Sequence, residues 1–176
     1  MSEEADRNRD FWNHALSVEF RQAHHVAFSV SRVLKIPDLI EKTENQDIQD
    51  ALFESWLVHV RALIEFYLVH ESRLSKNDFS AKNFGWDKCH LDDYLDLDCW
   101  WVISSRHLLH FSDSRTPEDL FDLDTVDRSI SNLQLESERF WMLTLDFIDH
   151  LKINNHPDCE AFIIALNTFV PEGGQD

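Results

Sequence analysis

The sequence predicts an all-α fold, a single helical bundle of four long helices plus a short C-terminal helix, with the helix over 48–71 central. Three observations predict it. Only 3 Gly and 4 Pro occur in 176 residues, whereas a sheet protein of this size needs turn residues about every 8–12 positions. Apolar residues recur at three- and four-residue steps over long stretches. Hydrophobic residues form 43% of the chain, with 13 Phe and 6 Trp, so one domain can bury roughly 70% of its unfolded surface. The organisation read from composition is a charged, disordered N-terminus over 1–9, one bundle domain over 10–169 and a disordered tail over 170–176.

The first helix is expected from about Asp10 to Lys35. Phe11, Trp12, Ala15, Leu16, Ala23, Val26, Ala27, Val30, Val33 and Leu34 form its apolar stripe. Pro37 should end it, because a proline pushes the preceding Ile36 out of the α region. After a short turn, Asp47 opens the second helix. Its core, Ile48–Glu71, reads IQDALFESWLVHVRALIEFYLVHE and is apolar almost all round. Leu52, Trp56, Val60, Leu63 and Tyr67 make one face, and Phe53, Leu57, Ile64 and Leu68 the adjoining one. Val58, Ala62 and Val69 leave little of the remainder polar. His59, Arg61 and Glu65 make it too polar for a membrane span. Such a helix must be wrapped by others of the same chain.

Ser72–Lys88 is the longest irregular segment, and its Phe79, Phe84 and Trp86 predict a loop packed down on the bundle. The third helix should run from Leu91 to Phe111, with Asp92, Asp93 and Asp96 stabilising its positive end. A short helical piece, Pro117–Leu123, follows a break at Ser112–Pro117. Asp124 or Thr125 is expected to start the fourth long helix, to about Lys152. Its stripe is Val126, Ile130, Leu133, Phe140, Trp141, Phe147, Ile148 and Leu151. Past Pro157, Asp158–Phe169 supplies the closing helix.

The net charge of −17 repels phosphate backbones, which disfavours broad nucleic-acid binding and leaves no DNA-binding face. Cys89, Cys99 and Cys159 are odd in number and lack a CxxC pair, so reduced thiols are expected. The N-terminus has no apolar leader, and no long uncharged run occurs. A soluble, cytoplasmic, bacterial-type protein without membrane contact is the expectation. There is no HExxH and no paired Glu-x-x-His set. His24 and His25 are adjacent, so they point about 100° apart. No metal and no cofactor are therefore expected, and three glycines cannot build a phosphate loop.

Two clusters could carry chemistry. On the central helix, Arg61 and Glu65 stand at i,i+4 with Glu54 on the same side, while His59 points about 140–160° away from Arg61. At the end of the third helix, Arg106 and His110 also stand at i,i+4, near Ser105, Asp113 and Arg115. The helix dipole alone accounts for cations there. The chemical reading makes His110 the candidate catalytic base for a 2′-hydroxyl, with Arg106 stabilising developing phosphate charge.

Glu54–Phe66, ESWLVHVRALIEF, resembles the E-S-F/W-L-V-H-x-R-x-L-I/L-D/E-F stretch of a group of small uncharacterised bacterial all-helical proteins. Asn77–Phe84 is similar to their D-D-V/F-x-A-x-D-F loop. Ser105–Ser112 followed by Arg115 is similar to their N-K/R-x-I/V-x-H-L-T-x-x-R segment. The resemblance implies that His59, Arg61, Asp78, His110 and Arg115 form one interior polar network and are the binding residues. In architecture the group resembles HEPN domains, helical nucleotide-binding or ribonuclease bundles that commonly pair, so the analogy implies a homodimer and a nucleotide or RNA partner. The Arg106–His110 pair is spaced more closely than the HEPN nuclease signature, and Ser105 stands where the group tends to have Asn. The reading that follows is a non-enzymatic binding or interaction module. The alternative is a HEPN-like nucleotide- or RNA-binding module acting as a metal-independent ribonuclease.

Overall fold

Helix α1 (Val18–Glu41) packs against all three of the other long described helices, α2 (Gln46–Tyr67), α3 (Ile130–Ile153) and α4 (Cys159–Phe169). The computed structural model describes residues 18–68, 79–86, 97, 100, 101, 103, 104 and 127–170, with side chains from residue 21. No strand occurs among them, and the architecture is an all-α bundle. Leu97, Trp100, Trp101, Ile103 and Ser104 are helical, within the span expected for a helix over 91–111. The ends of that helix, the start of the first helix at Asp10, the piece over 117–123 and the two terminal segments lie outside the described residues, apart from Val170.

Periodicity explains the burial. On α1, Ala23, Val26, Ala27, Val30, Val33, Ile36 and Ile40 recur at three- and four-residue steps and are all buried. On α2 the buried set is Phe53, Trp56, Leu57, Val60, Leu63, Ile64, Phe66 and Tyr67. Val58 and Ala62 lie exposed, so α2 is not covered all round. Asn45 caps α2, its side-chain oxygen accepting from the Ile48 N–H at 3.3 Å.

Helix α2 ends at Tyr67, with Leu68 as its C-cap, short of the expected Glu71; two further boundaries depart from expectation. Pro37 lies inside α1, which continues to Glu41, instead of ending it. A helical proline has no N–H to give the carbonyl four residues back, here that of Val33. The Ser137 hydroxyl on α3 stands in for the missing donor, its single hydrogen shared between the Val33 oxygen at 2.8 Å and the Leu133 oxygen at 2.7 Å. The extra turn carries Ile40 into the core. The second departure is α3, which begins at Ile130 and not at Asp124 or Thr125. Asp127 accepts from the Ser129 N–H at 2.9 Å, and Ser129 accepts from Asn132 N at 3.3 Å, so the local turn and cap hold Asp127–Ser129 out of the helix.

Ser137 is also the acceptor for Trp56 Nε1–H at 3.2 Å. One buried hydroxyl therefore joins α1, α2 and α3. Seven residues on, Thr144 accepts from the Tyr67 hydroxyl at 3.0 Å and donates to the Phe140 carbonyl at 2.7 Å. Burial pushes the Tyr67 phenol far up from its ordinary value, with the Thr144 bond partly offsetting it. These two polar points register α2 on α3 within an apolar interface.

Part of the aromatic loop is described, and it packs on the bundle. Ala81–Phe84 forms a 3₁₀ turn in which Asn83 Oδ1 accepts from the Ser80 N–H at 2.9 Å. Phe84 and Trp86 are buried, and Phe84 lies 5.6 Å from Phe147 and 5.3 Å from Phe162, edge-on to both rings. Gly85 closes the turn at φ 74, a left-handed conformation that suits glycine.

Candidate functional site

Of the residues singled out as binding or catalytic, His59 and Arg61 fall within the described residues. Asp78, Arg106, His110 and Arg115 lie outside them, as do Cys89 and Cys99.

His59 faces α1. Its Nδ1 lies 3.2 Å from the buried Ser29 hydroxyl, and its ring stands edge-on to Phe28 at 5.4 Å. Arg32, one turn along α1, lays its guanidinium over the Phe28 ring at 4.9 Å. Burial lowers the His59 pKa, and the positive charge of Arg32 lowers it further. His59 is therefore held neutral in a helix interface. The end of α4 closes over the same stretch of α1. The Phe169 ring stands edge-on to Phe28 at 5.6 Å and to His24 at 4.4 Å. Its carbonyl accepts from Ser31 Oγ at 3.0 Å and Lys35 Nζ at 2.9 Å.

Arg61 does not share those partners. Nε donates to Glu65 Oε1 at 2.9 Å, one turn along its own helix, and this is the ion pair that the i,i+4 spacing implies. Glu54, expected on the same side, is exposed. The Arg61 side chain is 19% exposed, yet its Nη1 is buried without a hydrogen-bond partner. An oriented guanidinium nitrogen in that condition leaves a charged donor unsatisfied. The two residues thus serve different neighbours: His59 meets α1, and Arg61 pairs along its own helix.

Sequence reasoning did not single out His150. Its Nε2 lies 3.1 Å from the Phe84 carbonyl, and Nδ1 lies 3.2 Å from Asn154 Nδ2. The ring also stands edge-on to Trp86 at 5.4 Å. The signal was available: His150 sits on α3 one turn after Asp146 and one residue before the core Leu151, at the edge of the apolar stripe. Its partner, a backbone carbonyl in a distant loop, leaves no trace in sequence.

Burial pushes the Cys159 thiol up, with Lys152 opposing, so the group stays protonated at neutral pH. Among the described residues no group of three or more His, Cys, Asp or Glu could hold a metal ion, and no helix is long and apolar enough to cross a membrane. No family model, curated protein or solved structure matches the chain.

Proposed function

We propose that the protein is a non-enzymatic binding module in which Arg61 receives an anionic group, a carboxylate or a phosphate, from the bound molecule. The observation that carries this is the buried Arg61 Nη1 without a hydrogen-bond partner, beside an Nε already fixed by Glu65. A planar guanidinium with one edge committed and another unfilled suits an oxyanion. Filling it would recover part of the roughly 1–3 kcal/mol that an unsatisfied buried donor costs. The resemblance adds Asp78, His110 and Arg115 to the same network, and the reading extends to them as expectations.

A thermal-shift panel of dicarboxylates, inorganic phosphate, mononucleotides and dinucleotides tests it. At least one anion should raise the melting temperature of the wild type and fail to raise that of Arg61→Gln. A flat panel overturns the proposal. RNA cleavage that disappears in His110→Ala would replace it with the HEPN-like ribonuclease reading. Sizing of the same sample reports whether the chain pairs with itself.

A further inference from the structure

The outward face of α3 carries half of the large hydrophobic side chains exposed on the described residues. Leu135 is 49% exposed, Met142 57%, Leu145 38% and Ile153 75%. The others are spread over three helices, as Leu39, Ile48, Val58 and Ile164. Single exposed apolar residues are ordinary on any surface. These four are not scattered. At about 100° per residue, Leu135, Met142 and Ile153 point within about 20° of one direction, and Leu145 lies about 60° to the side of Met142. That direction is opposite to Ser137 and Thr144, which tie α3 to α1 and α2. The stripe is a mixed face, in which Asp146 lies about 20° and Asp149 about 40° from the direction of Leu135, on a helix whose other side is already filled; apolar anchors set among carboxylates suit an interaction surface.

Charge indicates what covers it. Glu138, Asp146 and Asp149 are exposed on the same side of α3. Asp149 is paired with Lys152 at 3.2 Å, and Arg139 is turned to the buried Glu136 at 3.3 Å. Glu138 and Asp146 have no ion pair among the described residues. A second copy of this chain would bring the same carboxylates against each other, with −17 on each protomer, and like charges in juxtaposition are a device against pairing. A cationic partner gains on both counts, through contact with Glu138 and Asp146 and through steering by the field of the whole chain.

We propose that this face of α3 docks an amphipathic helix of a partner protein, whose apolar edge meets Leu135, Met142 and Leu145 and whose flanking Lys or Arg residues meet Glu138 and Asp146. This is the helix-on-helix mode of recognition, in which apolar anchors carry affinity and rim charges select the partner. It involves neither Arg61 nor any anionic ligand, so it stands or falls separately from the function proposed above.

The full-length chain and two labelled synthetic helices test it. One peptide, of roughly 18 residues, repeats Leu on one face and Lys on the other; its counterpart has Glu in place of Lys. Fluorescence anisotropy should show binding of the Leu/Lys peptide and none of the Leu/Glu peptide. Met142→Asp and Leu135→Asp should each weaken binding at least about tenfold. Both positions are exposed, so melting temperatures should match the wild type, and whichever variant fails this control leaves the other to decide. Glu138→Lys with Asp146→Lys should shift preference toward the Leu/Glu peptide. Equal binding of the Leu/Lys peptide to wild type and Met142→Asp overturns the proposal, because net charge alone then explains it. No binding overturns it as well. So does a wild-type dimer that Met142→Asp converts to monomer, since the occupant is then a second copy.

Discussion

His59 couples the α1–α2 seam to protons. Its ordinary value is 6.5, and in the fold burial and the Arg32 charge hold it lower. Between the two values the unfolded chain binds the proton and the folded chain does not, so unfolding takes up a proton and stability rises with pH. The contribution is complete above about pH 6.5 and is lost as pH falls through the folded value. Urea unfolding of wild type and His59→Asn at neutral and mildly acidic pH measures it. The wild type should lose more stability on acidification than the variant; parallel losses would place the acid sensitivity elsewhere. The spacing of His59 and Arg61 on a helical wheel made their divergence legible in sequence, because about 160° cannot be bridged between residues two apart on one helix. Their partners were not legible. Ser29 and Arg32 come from another helix, and the unfilled Nη1 of Arg61 depends on how side chains around it pack.

At the scale of elements, the joint formed by Pro37, Val33, Ser137 and Trp56 governs whether α1 keeps its last turn. Ser137→Ala removes a donor from the Val33 carbonyl and an acceptor from Trp56 Nε1, both in the core. A loss of about 1–3 kcal/mol in urea unfolding is expected. In a Pro37→Ala background the new N–H can satisfy Val33, so Ser137→Ala should cost less, with a coupling of about 0.5–3 kcal/mol. Additive losses would mean that the hydroxyl does not substitute for the missing amide. Gly85 offers a second element-level test. A Cβ there would meet only His150 Nε2 at 3.8 Å, an ordinary contact, so the obstacle to Ala is the backbone at φ 74. Gly85→Ala should cost about 1–2 kcal/mol and Gly85→Asn less, since Asn tolerates that conformation; equal costs would point to crowding. Helix existence was readable from the apolar patterns of α1, α2 and α3, because periodicity is written locally. Pro37 misled for the opposite reason: the hydroxyl that rescues its helix is 104 residues away from the carbonyl it serves. The start of α3 is shifted by Asp127 and Ser129, whose turn and cap outcompete the apolar pattern that Val126 extends in the sequence.

For the whole molecule, a net charge of −17 on a chain of 176 residues sets the response to salt. Like charges crowd together on folding, so self-repulsion destabilises the compact state, and screening should relieve it. Salt also weakens the favourable ion pairs, but those described are few and local. Lys152–Asp149 is exposed on both sides, and Glu65 of the Arg61 pair is well exposed. Pairs of that kind contribute about 0–1 kcal/mol each, so salt removes little through these two. Repulsion therefore dominates, and the melting temperature should rise with NaCl from low ionic strength to about 0.5 M, flattening as the Debye length falls well below 10 Å. The same repulsion predicts relief on acidification as carboxylates take up protons, whereas His59 predicts loss. The two effects separate by salt: at high salt repulsion is already screened, so the acid-induced loss should be larger there than at low salt. Calorimetry at two pH values and two salt concentrations decides it. A melting temperature that falls with NaCl at neutral pH would mean that attractive surface pairs outweigh repulsion, and the acidic surface would then stabilise the bundle instead of straining it.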